Sequence, residues 1–128
     1  AINLLKVSRI DHGNRCLDDE ELVDYIIEKD LTLTVCPLSN LKLRVVKSLK
    51  KHPIKTMLDQ GLNATINSDD PAYFGGYVND NFIAVTEALN LEEEDIIQLV
   101  KNSFTGSFLP KEHIKEHLKQ IDKLTELL

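Results

Sequence analysis

The sequence predicts an α/β protein with about three parallel strands joined by crossover helices and followed by C-terminal helices. Three observations carry this. Short apolar, β-branched runs alternate with stretches of helical period. Each run ends in a cluster of polar, chemically able residues. No strand signal appears after Tyr77, where three helical stretches follow one another.

The first run, "LLKVSRI" (Leu4 to Ile10), reads as a strand ending at Asp11-His12-Gly13. In "DDEELVDYIIEKD", Asp18 or Asp19 caps a helix whose Leu22, Val23, Ile26 and Ile27 line one face. "LTLTV" (Leu31 to Val35) is the second strand, closed by Cys36-Pro37. Pro53 suits the first turn of the next helix, with Ile54, Met57 and Leu58 inward and Gly61 as the C-terminal stop. "LNATIN" (Leu62 to Asn67) is the third strand, ending in Ser68-Asp69-Asp70-Pro71. "NDNFIAVTEAL" is a helix with Phe82, Val85 and Leu89 inward. "LEEEDIIQLVKNSF" is another, with acids in the first turn, where the helix dipole favours them. Pro110 opens a last helix with Ile114, Leu118, Ile121 and Leu124 as its buried stripe.

The 128 residues suffice for one domain with a hydrophobic core, and a 42% hydrophobic content is ordinary for a soluble protein. A net charge of -6 argues against nucleic acid or an anionic membrane as partner. The apolar runs are too short to span a membrane, and "AINLLKVSRIDHG" lacks the pattern of a signal peptide. Cys16 and Cys36 form no C-x-x-C pair, so free thiols and a reducing, cytoplasmic location are expected.

All three strands end in groups able to do chemistry: His12, then Ser39 and Asn40, then Asp69 and Asp70. In parallel α/β folds these ends lie on one face, where (β/α)₈ barrels build their active sites. Turn residues and helix caps are the bland alternative for each position, and convergence at three successive strand ends favours a site. Consecutive strand residues point to opposite faces, so Asp69 and Asp70 approach one ligand only beyond the strand, as Pro71 suggests. A divalent cation would hold one acid ionised. The other, beside a like charge in a partly dry pocket, would then be raised in pKa and donate a proton.

"SRIDHG" (Ser8 to Gly13), "TVCPLSN" (Thr34 to Asn40) with "KLRVV" just after, and "INSDDPAYFGGYVNDN" (Ile66 to Asn81) closely resemble the C-terminal part of the adenosine/adenine deaminase family. "AYFGGYV" looks more like the adenine branch than the nucleoside branch. The resemblance implies that residues 1–128 are the C-terminal part of a zinc-dependent (β/α)₈, or TIM, barrel. Such a barrel hydrolyses a 6-aminopurine, adenine rather than adenosine, to the 6-oxopurine and ammonia by zinc-activated water. It implies Asp69 as carboxylate zinc ligand and holder of the nucleophilic water, and His12 beside that water. Asp70 would hydrogen-bond a purine ring nitrogen, in protonated form if that nitrogen is an acceptor. Gly75 and Gly76 would allow close backbone approach at the pocket.

The family's H-x-H pair, and its further histidine with a glutamate three residues on, belong before His12, and none of them stands there. A catalytic zinc typically takes about three protein ligands, and this chain offers one. The expectation is a chain inactive alone, completed by the N-terminal portion of a barrel or associating with itself through open sheet edges. The competing reading is a truncated, inactive fragment or association module. A magnesium-binding acid pair of the phospho-acceptor type fits poorly, because that acid pair belongs after the first strand. "HIKEH" (His113 to His117) matches a zinc-peptidase pattern but reads better as a solvated helix face. Cys36 reads as a buried thiol rather than a nucleophile paired with His12, and Glu92 to Asp95 as a helix start.

Overall fold

The computed structural model describes residues 2–127. A single turn, α1 (Ile2–Leu5), precedes β1 (Arg9–Asp11). A 3₁₀ turn over Cys16–Asp18 leads into α2 (Glu20–Glu28), then β2 (Thr32–Val35) and α3 (Pro37–Lys42). A second 3₁₀ turn over Leu49–Lys51 precedes α4 (Ile54–Asp59) and β3 (Asn63–Ile66). The chain finishes with α5 (Pro71–Phe74), α6 (Val78–Leu89), α7 (Glu93–Thr105) and α8 (Lys111–Thr125).

The strands form one parallel sheet in the order β1-β2-β3, with Ile10 opposite Leu33 and Val35 opposite Ile66. Because side chains alternate along a strand, one face carries Ile10, Leu33, Val35, Ala64 and Ile66. Helices cover that face: Val23 and Ile26 from α2, Ile54 and Met57 from α4, Val85 from α6 and Leu99 from α7 are all buried with it. The other face carries Arg9, Asp11, Thr32, Thr34 and Thr65. The turn after α7 folds onto its lower end, where Arg9 donates to the Gly106 carbonyl and stacks over Phe108 at 4.3 Å.

The helix starts follow their sequence signals. Asp19 caps α2 by accepting from the Leu22 N–H at 3.1 Å. Gly61 stands two residues beyond α4 with φ +83°, a left-handed geometry that suits glycine. At α7, Glu92 and Asp95 form a capping box, which accounts for the acid run.

Three expectations are corrected. The first strand is shorter than its apolar run. Leu4 and Leu5 sit in α1 and are exposed, and Lys6 turns the chain with φ 50°, so pairing begins only at Arg9. The stripe on α8 is not buried: Ile114, Leu118 and Ile121 are half-buried and Leu124 is exposed, because α8 packs mainly on α7 rather than against the sheet. Two short helices, α3 and α5, stand where a strand end and a turn were read, each opened by a proline at its first position.

Candidate functional site

The three strand ends meet at one edge of the sheet. His12 extends the β1–β2 ladder by one bond, its N–H donating to the Thr34 carbonyl at 3.0 Å. It then turns out of the strand with φ 60°. Asp69 does the same beyond β3, with φ 58°. Left-handed geometry costs a non-glycine residue roughly 1–2 kcal/mol, and such strain collects at functional sites. Here it breaks the strand alternation, which is how two side chains from different strands come to face each other.

His12 Nε2 lies 3.8 Å from Asp69 Oδ2. Ser39, fully buried in the first turn of α3, donates from Oγ to that same oxygen at 2.6 Å. Asn40, the next residue on α3, donates from Nδ2 to His12 Nδ1 at 3.2 Å and accepts from His52 Nε2 at 3.1 Å. Asp11 accepts from Thr34 Oγ1 at 2.8 Å. α3 is itself pinned by α6, whose buried Asn81 accepts from the Leu38 N–H at 2.9 Å. His12 and Asp69 open on a cavity of about 430 Å³, lined also by Asp11, Thr34, Cys36 and Asn67, with Ser39 and Asn40 buried behind them.

Burial pushes the Cys36 thiol up to about 11, with the Asp69 and Asp11 carboxylates adding to the effect. The thiol is therefore neutral, and only a thiolate is a good nucleophile or metal ligand. Burial alone lowers His52 to about 4, so this histidine is neutral and makes two directed hydrogen bonds.

The structure brings together His12, Ser39, Asn40 and Asp69. Asp70 does not line their cavity. It is exposed and caps α5, its Oδ1 accepting from the Tyr73 N–H at 3.1 Å. Gly75 ends α5 with φ +81° and faces open space. Gly76 is needed for packing, since a Cβ there would lie 2.5 Å from Leu38 Cδ1 and 3.0 Å from Asp80 Cβ. His117 stacks on Phe104 with ring centroids 4.7 Å apart, while His113 is exposed, so "HIKEH" is a helix surface. Sequence reasoning missed His52. Its signal was a histidine placed between a helix-opening proline and a lysine run, where a solvated side chain would be the ordinary expectation.

One ligand atom each of His12, Cys36 and Asp69 lies within 4.8 Å of the others. With the Cys36 thiol neutral and His12 Nδ1 taken up by Asn40, Asp69 is the member of this group fit to hold a divalent metal. Among the described residues only Oδ2 of Asp69 is hydrogen-bonded, which leaves Oδ1 to ligate.

A family profile described as adenosine deaminase matches residues 1–124. The chain belongs to the adenosine deaminase family. Within the family it is 63% identical over 109 residues to an adenine deaminase from Crocosphaera subtropica, covering 85% of this chain and 33% of that one. It is 57% identical over 125 residues to an adenine deaminase from Marinomonas, covering 97% of this chain and 37% of that one. The crystal structure of adenine deaminase from Arthrobacter aurescens superposes with a TM-score of 0.94 at 42% identity, over 98% of this chain and 38% of that chain. The three parallel strands and their helices thus match a portion of an adenine deaminase. An amidohydrolase from Burkholderia ambifaria, solved with bound zinc, shares the fold at 24% identity and a TM-score of 0.85. The chain spans about a third of the length of the curated relatives it matches. Among the described residues no helix is long and apolar enough to cross a membrane.

Proposed function

We propose that this chain supplies half of a zinc-dependent site that hydrolyses adenine to the 6-oxopurine and ammonia, within a complete barrel whose other ligands lie outside it. The observation that carries the reading is the pairing of His12, after β1, with Asp69, after β3, 3.8 Å apart over one cavity. Zinc held in part by Asp69 Oδ1 would make a bound water more acidic and a better nucleophile at neutral pH.

The chain's own residues then have separable tasks. Asp69 Oδ2, gripped by Ser39, holds the carboxylate in one rotamer, so that it orients the water toward the purine carbon bearing the amino group. His12 Nε2–H donates a hydrogen bond to the attacking oxygen and stabilises the charge that develops there. Asp70 uses one oxygen to cap α5, and its second oxygen is assigned to a purine ring nitrogen, to which it donates when protonated. Gly76 keeps the α5–α6 turn close to Leu38 of α3, and Gly75 supplies the left-handed end of α5 beside it. The amino group leaves as ammonia, and the oxygen from water remains as the 6-oxo group, which balances the reaction.

The test is a hybrid barrel in which this chain replaces the matching third of the Marinomonas adenine deaminase. Offered adenine and adenosine with zinc, it should release ammonia from adenine and yield the 6-oxopurine. Preference for adenosine, or no turnover while the parent enzyme is active, would overturn the reading. The 128-residue chain alone is proposed to be inactive, and the reading of residues 1–128 as part of one barrel domain rests on the same experiment.

A further inference from the structure

Three hydrogen bonds run in line from the start of α4 to His12 at the candidate site, and the first of them can run only one way. The Ile54 backbone N–H faces His52 Nδ1 at 3.3 Å. A backbone N–H only donates, so Nδ1 accepts and the proton of neutral His52 sits on Nε2. Nε2–H then donates to Asn40 Oδ1 at 3.1 Å. This fixes the amide: Asn40 Nδ2 faces His12 Nδ1 at 3.2 Å and donates to it. His12 Nδ1 is therefore an acceptor, and its own proton sits on Nε2, the nitrogen facing Asp69.

Turning the Asn40 amide over would set its NH₂ against the His52 Nε2–H, two donors face to face between side chains closed off from solvent. Asn40 is 1% exposed and His52 is 3% exposed. Burial also keeps His52 neutral, which removes the form with protons on both nitrogens. A backbone amide that opens a helix thus sets the direction of every later bond. Choosing a histidine tautomer through the partner of its other nitrogen is a general device.

We propose that His52 is a positioning residue for the reaction, acting through Asn40 to hold His12 in the Nε2–H tautomer that presents a proton donor to the site. The catalytic consequence rests on the proposed function, whereas the tautomer is a property of the chain itself.

The tautomer is read by ¹⁵N–¹H correlation spectra of histidine-labelled protein at about pH 8, above the ordinary imidazole range. Spectra are taken on the full 128-residue chain and again on the hybrid barrel, with His12 assigned by His12→Gln. The expected pattern is a protonated Nε2 and a bare Nδ1. Asn40→Asp puts an acceptor between the two rings, so His12 Nδ1 gains a proton. His52→Phe removes the donor that orients Asn40, so His12 becomes a mixture of tautomers. His52→Gln keeps an amide N–H for Asn40 and preserves the original form. In the barrel, Asn40→Asp and His52→Phe lower kcat by about 10–100-fold, as loss of such orienting partners does. KM stays within about twofold, and His52→Gln recovers most of the rate.

A His12 that keeps its proton on Nε2 in folded Asn40→Asp overturns the proposal, as does a His52→Gln barrel no faster than His52→Phe. If His52→Phe does not fold, Asn40→Asp alone decides it. An inactive unsubstituted barrel would refute the deaminase reading and leave the tautomer series still decisive.

Discussion

Ser39→Ala isolates the grip on the proposed zinc ligand. Ser39 Oγ donates to Asp69 Oδ2 at 2.6 Å from a fully buried position. A hydrogen bond to a charged acceptor contributes about 1.5–3 kcal/mol. The Asp69 side chain is 33% exposed, so water partly replaces the lost donor and the lower end applies. About 1.5 kcal/mol corresponds to roughly tenfold in an equilibrium constant. Asp69 also sits at φ 58°, so freeing its side chain lets a strained backbone relax away from the site. The assay is zinc affinity of the hybrid barrel by competition with a chromogenic chelator, beside its thermal unfolding. Zinc should bind about tenfold more weakly, within the range found when partners of metal ligands are removed. Unchanged zinc affinity in a folded Ser39→Ala barrel would refute the argument that Ser39 orients a ligand.

Asn81→Leu should cost about 1–3 kcal/mol in denaturant unfolding, because it strands the part-buried Leu38 N–H that Asn81 pairs. A loss below about 1 kcal/mol would show that α6 does not pin α3. Gly106→Ala puts a Cβ 2.5 Å from Thr32 Cγ2 and 3.0 Å from the Asn102 carbonyl. It should destabilise by about 1–3 kcal/mol, and a neutral substitution would contradict the packing of this turn on the sheet. His52, lowered to about 4 by burial, contributes to stability in full above its ordinary range near 6.5. That contribution is lost as pH falls toward 4, because the unfolded chain then binds a proton that the folded chain refuses. Unfolding curves between these limits should steepen by about 3 kcal/mol relative to His52→Gln, and parallel curves would contradict it. Cys36, raised to about 11, should react with iodoacetamide far more slowly than free cysteine at neutral pH, and equal rates would contradict its burial.

The sheet was legible because strand and helix differ in period, and both were interrupted by strong punctuation. Pro37, Pro53 and Gly61 mark boundaries where the structure has them. The start of β1 was not legible, since "LLKV" has the composition of a strand and only the turn at Lys6 separates it from pairing. His12 and Asp69 were legible as polar strand ends, and their meeting follows from parallel topology. The interior of the site was not. Ser39 reaches Asp69 across thirty positions of sequence, and His52 reaches His12 only through Asn40. Such contacts depend on helix placement, which periodicity does not determine. Asp70 shows the opposite case, where a carboxylate suited to chemistry also serves as an ordinary helix cap.

The central claim is that this chain holds an essential but incomplete part of a zinc-dependent adenine deaminase site. The most direct measurement is ammonia release from adenine, with zinc present, by the 128-residue chain, by the hybrid barrel and by its Asp69→Asn form. The account predicts turnover by the barrel, none above background by the chain alone, and a loss of at least about a hundredfold in Asp69→Asn. Turnover by the chain alone at the barrel's rate, or an Asp69→Asn barrel as active as its parent, would contradict it.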